Sequence, residues 1–107
     1  MATLNAVIVD PNGTVRVTDV EDYLSAFQAV VGGYIEGVFG SEATIYVDED
    51  GLLKRLPFNL IATLFANDIR GHFGKQLFGT ALILGPTAEG RDTPVRPTVV
   101  EYFTKEN

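Results

Sequence analysis

Residues 21–47 read EDYLSAFQAVVGGYIEGVFGSEATIYV, and the period of their apolar side chains changes partway along. From Glu21 to Val31, the residues Tyr23, Leu24, Phe27, Val30 and Val31 recur at steps of three and four, the spacing of one face of a helix. Gly32-Gly33 follows and supplies a left-handed exit. Beyond it, Tyr34–Phe39 and Ala43–Val47 are rich in β-branched and aromatic residues. Ile45 and Val47 alternate with Thr44, Tyr46 and Asp48, which predicts a half-buried strand. One helix followed at once by two strands sets an α+β reading.

Upstream, Leu4–Val9 is apolar, Asp10-Pro11-Asn12-Gly13 is a turn, and Thr14–Val17 is β-branched again, so a hairpin is expected around Asn12-Gly13. Thr18 and Glu21 have the spacing of a capping box for the first helix. Downstream, Asp48-Glu49-Asp50-Gly51 reads as a solvated turn, and Leu52–Leu56 as a short extended piece, because Pro57 biases Leu56 away from helix. Pro57 suits the first turn of a second helix from about 58 to 68, with Leu60, Ile61, Leu64 and Phe65 inward. Asn67–Phe78 is the least regular stretch. Gly79–Gly85 (GTALILG) reads as a buried strand, Pro86–Pro97 as a loop, and Thr98–Lys105 as a short helix or an edge strand. The expected architecture is a mainly antiparallel sheet with two principal helices on one face and a core holding Phe27, Val30, Ile61, Leu64 and Phe65.

Composition bounds the function. The 107 residues contain no cysteine, which removes disulfides, thiolate zinc sites and thiol catalysis, and the length suits a single domain over 1–107. A net charge of −6 lacks the concentrated positive surface of a nucleic-acid binder and disfavours anionic membranes. No apolar run approaches the ~20 residues of a membrane helix. No signal peptide stands at the start, so a cytoplasmic protein is expected.

Three stretches, VVGGYIEGVF (30–39), VDEDGLLKRLPFNLIATLF (47–65) and GTALILG (79–85), occur in an order that resembles the domain-of-unknown-function family numbered 3846. The matching positions are Val31, Gly32, Gly33, Tyr34, Ile35 and Glu36; Gly51, Leu56, Pro57, Asn59 and Ala62; and Gly79 and Gly85. The resemblance covers residues 20–85, with departures around Arg70–Phe78 and in the Pro-rich tail. It implies a bacterial, phage or mobile-element setting and carries no established activity.

Candidate ligand-binding residues are Tyr34, Glu36, Asn59, Arg70, His72 and Lys75. Tyr34 and Glu36 lie two apart, on one face of a strand, where they would stack on and hydrogen-bond a ring; the commoner role of such glycines is to cap a helix. Asn59 fits a helix cap. Arg70, His72 and Lys75, spaced by Gly71 and Gly74, form the one basic cluster and would hold a small anion, although a solvated loop is the more frequent case. Asp48, Asp50 and Gly51 depart from a calcium loop, which needs a ligand where Leu52 stands and a glutamate where Asn59 stands. Glu36 and Asp48 make a carboxylate pair only if a pocket joins them.

A lone histidine beside no nucleophile leaves enzyme the least supported class, and no cofactor or metal is implied. The expected function is a non-enzymatic accessory protein that binds a host protein or itself, with a homodimer expected from its many aromatic side chains. A nucleotide-type anion binder is the alternative. An acidic mimic of nucleic acid ranks third. Any ligand site is expected where the Gly32-Gly33 turn, the start of the second helix and the Arg70–Lys75 loop converge.

Overall fold

The computed structural model describes residues 2–70 and 76–105, apart from the side chains of Ile69 and Arg70. Among the described residues five strands form one antiparallel sheet, β1 (Thr3–Val9), β2 (Val15–Glu21), β3 (Ile35–Phe39), β4 (Thr44–Asp48) and β5 (Ala81–Leu84), in the order β2-β1-β5-β4-β3. The same residues hold three helices, α1 (Leu24–Val31), α2 (Leu60–Arg70) and α3 (Pro97–Thr104). The α+β class expected from the sequence stands.

The sheet is covered on both faces, because side chains alternate along each strand. Val7, Val9, Ile45, Val47, Ala81 and Ile83 point to one side and pack with Ala62, Phe65 and Ala66 of α2 and Val99 of α3. Leu4, Ala6, Ile8, Tyr46, Leu82 and Leu84 point to the other and pack with Phe27 and Val31 of α1. The two principal helices therefore lie on opposite faces, not on one. Two covered faces also explain why β4 is buried along its whole length, where alternation suggested a half-buried strand. Tyr46 is the telling residue: its ring stacks on Phe27 at 5.7 Å while its hydroxyl donates to Asp92. Burial, and then that carboxylate, push the phenol well above its ordinary pKa.

Local signals fared unevenly. The hairpin forms around Asn12-Gly13, the Asp10 amide bonding to the Thr14 carbonyl at 2.9 Å. Thr18 and Glu21 do not cap a helix. They continue β2, paired with Ala6 and Thr3, and α1 starts three residues later behind Tyr23, which gives no side-chain cap. A whole ladder of backbone bonds to β1 outweighs one local cap.

Leu52–Leu56 is not extended. Residues 49–55 form consecutive turns, with Lys54 N donating to Asp50 O at 2.8 Å and Arg55 at φ 57°. Helix α2 begins only at Leu60, so Pro57 precedes it. Its inner face is Ala62, Phe65 and Ala66, while Leu60 and Leu64 stand 54% and 51% exposed. Two alanines let the helix axis come close to the sheet and turn the leucines at 60 and 64 outward. GTALILG gives β5, buried throughout, and Thr98–Lys105 resolves as helix α3 with Pro97 in its first turn.

Candidate functional site

A cleft of about 250 Å³ opens where β3 and β4 meet the turn after β4, lined by Glu36, Val47, Asp48, Glu49, Gly51, Leu52, Gln76, Leu77 and Phe78. Buried Val47 and Leu77 are among its lining residues, as are the acidic residues Glu36, Asp48 and Glu49. Glu36 and Asp48 both line this cleft, but Glu36 is registered opposite Val47 and Asp48 opposite Ile35, so their side chains point to opposite faces of the sheet and make no carboxylate pair.

Asp48 is not a solvated turn residue. Its side chain is 2% exposed, its Oδ2 lies 2.7 Å from Lys54 Nζ, and its Oδ1 accepts the Asp50 amide at 2.8 Å. The hydrogen bond from Lys54, reinforced by the Asp50 amide, holds the carboxyl below the ordinary carboxylate range despite burial. The same bond raises Lys54. Asp48 is thus an anion fixed in place, unsuited to donate a proton near neutral pH.

This pair also explains the double glycine. Gly32 closes α1 in the left-handed region at φ 89°, its amide donating to Gln28 O. At Gly33 the reason is space: a β-carbon there would lie 2.7 Å from Asp48 Oδ2 and 2.7 Å from Lys54 Nζ. The helix exit is pressed against the Asp48–Lys54 pair, and any side chain at Gly33 would push the pair apart.

Asn59 is fully committed. Its Nδ2 donates to Val9 O and Gly79 O, each at 2.9 Å, and its Oδ1 accepts the Ala62 amide at 3.1 Å. It caps α2 and ties the helix start to β1 and to the approach of β5. Tyr34 is 69% exposed and is not among the cleft-lining residues, although its carbonyl accepts the Glu49 amide at 2.9 Å. Glu36 lies in the cleft wall. His72 and Lys75, and the Arg70 side chain, fall outside the described residues, so the expected convergence with their loop does too. Gly33 and Asn59 themselves have different neighbours, Asp48 and Lys54 for one, Val9 and Gly79 for the other. Among the described residues no three carboxylate or imidazole groups gather around a metal position, and no helix is long and apolar enough to cross a membrane.

Reasoning from sequence missed Gln76, Leu77 and Phe78 as cleft residues. Leu77 is 1% exposed, its amide donating to Thr63 Oγ1 at 3.0 Å, and the Phe78 ring meets Phe58 at 5.8 Å. An apolar pair behind a glycine-rich stretch was the available signal.

A family model described as "Domain of unknown function (DUF3846)" matches residues 4–107. This chain belongs to the DUF3846 family. No curated protein and no solved structure matches it. The match takes in both the stretch around Arg70–Phe78 and the Pro-rich tail, so neither lies outside the DUF3846 domain. Several DUF3846 resemblance positions have structural work here: Gly33 against the ion pair, and Asn59 against Gly79.

The acid limb of stability should report Asp48. Its folded pKa lies below the unfolded one, so its contribution is complete above the unfolded value near 4 and is lost as pH falls through the folded value. Chemical melts from about pH 6 to about pH 2 should show a flatter acid limb for Asp48→Asn than for the parent. Parallel limbs would mean the pair contributes nothing to folding.

Proposed function

We propose that this protein is a non-enzymatic interaction module that engages a host polypeptide through the surface formed by residues 52–64. One observation carries this reading. Of the eleven large apolar side chains exposed among the described residues, five, Leu52, Leu53, Phe58, Leu60 and Leu64, come from that short stretch, at 40% to 84% exposure. Leu60 and Leu64 are one turn apart and share a face of α2. Leu52 and Phe78 share the cleft, and Phe78 packs on Phe58. Exposed apolar surface concentrated in this way marks a protein contact. The anion-binding alternative draws no support from the cleft, whose lining among the described residues holds three acidic residues and no basic one. The bacterial, phage or mobile-element setting belongs to this proposal through the family resemblance, and a cytoplasmic location through the cysteine-free composition.

The test compares the parent with Leu60→Lys/Leu64→Lys, both purified from the native host. The double variant replaces exposed side chains and should keep the parent's circular dichroism and melting midpoint. A polypeptide that accompanies the parent and is absent from the variant supports the reading. The same polypeptide retained on the variant, or a nucleotide in place of a polypeptide, sinks it.

A further inference from the structure

The two edges of the sheet are unlike. β2 carries exposed Arg16, Asp19 and Glu21, the kind of charges that keep an edge strand from pairing with a stranger. β3 carries one charge, Glu36, among Ile35, Gly37, Val38 and Phe39. Among the described residues no segment pairs with its outer edge. The Phe39 ring lies back across Gly37, where a β-carbon would sit 2.5 Å from Phe39 Cζ, and meets Tyr46 edge-on at 6.2 Å. An aromatic ring laid over a strand glycine covers bare backbone and fixes the strand's shape. Phe39 is nevertheless 46% exposed, so part of that ring is left for another surface.

We infer that β3 pairs antiparallel with β3 of a second copy, about a twofold axis through Gly37, joining two five-stranded sheets into one. The charge pattern selects both the partner and the register. With Gly37 opposite Gly37, each Glu36 faces Val38 of the other copy and each Ile35 faces Phe39, so every cross-strand pair is free of like charge. An axis through Glu36 sets two carboxylates directly opposite, which is destabilising. An axis through Val38 sets Ile35 against Ser41 and loses the aliphatic–aromatic pairs. A twofold interface needs a self-complementary patch, and β3 is one about Gly37. The pairing uses none of residues 52–64 and stands or falls separately from the surface assigned above.

The chain has no native cysteine, so introduced thiols read out without background. In Ile35→Cys/Phe39→Cys, the two new thiols of one chain are four residues apart along a strand, roughly 13 Å, too far to bond to each other. Mild oxidation should convert this variant to a covalent dimer on a non-reducing gel, while Glu36→Cys, facing Val38, should stay largely monomeric. Light scattering at micromolar concentration should give a dimer for the parent and for Leu60→Lys/Leu64→Lys, and a monomer for Phe39→Lys. A monomeric parent overturns the pairing and leaves the 52–64 surface untouched. A dimer that dissolves with Leu60→Lys/Leu64→Lys but survives Phe39→Lys moves the seam to α2. Equal cross-linking of Glu36→Cys and the double variant overturns the register.

Discussion

Asn59→Ala should lose about 3–5 kcal/mol of folding stability, a large share of the roughly 5–15 kcal/mol available to a domain. Removing the side chain strands three buried backbone groups at once: the carbonyls of Val9 and Gly79 lose their donor, and the Ala62 amide loses its acceptor. Loss of the cap alone costs about 1 kcal/mol, and each buried carbonyl left unpaired about 1–3 kcal/mol. Asn59→Asp separates these contributions. It keeps the acceptor for Ala62 but sets a carboxylate against two carbonyl oxygens, so it should be no more stable than Asn59→Ala. Urea melts of both variants decide the matter. A folded Asn59→Ala protein with parental stability would free Asn59 for the ligand role that its residue type also suits.

The second large effect is expected at Phe65, which is 2% exposed. Its ring touches Phe103 at 4.7 Å and Tyr102 at 4.9 Å, joining α2 to α3 above the sheet. Phe65→Ala should cost about 3–5 kcal/mol, through lost burial and a cavity that three elements cannot jointly close. The neighbouring Leu64→Ala should stay within about 0.5 kcal/mol, because half of that side chain already faces water. Similar losses at both positions would place the inner face of α2 where the bare spacing of its leucines suggests.

Phe65 and Leu64 also show what the sequence conveys and what it withholds. Both fit a helical apolar stripe, and the choice between them depends on how near the helix axis comes to the sheet, which the small side chains of Ala62 and Ala66 decide. The Asn12-Gly13 turn, the GTALILG strand and Asn59 as a cap were legible because each is written in adjacent residues. Thr18 and Glu21 misled for the same reason: a local cap is visible in sequence, while the pairing with Thr3 and Ala6 that replaces it is not. The placement of α1 opposite α2 was hidden because Thr44 and Tyr46 read as solvent-facing, although Tyr46 buries its ring and keeps its hydroxyl on Asp92. At the cleft, Glu36 and Asp48 were legible as acids on strands. Their opposite orientations follow from the strand register, and the Lys54 that fixes Asp48 depends on the turn of residues 49–55, which carries no local signature of its shape.

The strand order has a consequence for the way the chain is made. β1 lies inside the sheet, with β2 on one side and β5 on the other, and Val7 is partnered by Ile83. During synthesis β1 finds β2 at once, but its second neighbour emerges only after α1, β3, β4 and α2 have passed. Until then one long side of the hairpin is an open template, made of the most apolar segment of the chain. Loop closure over so many residues is slow, and unpaired strands invite aggregation while they wait. The nascent chain therefore spends most of its synthesis with its central strand half paired, and it is β5, not the early hairpin, whose arrival ends that exposure.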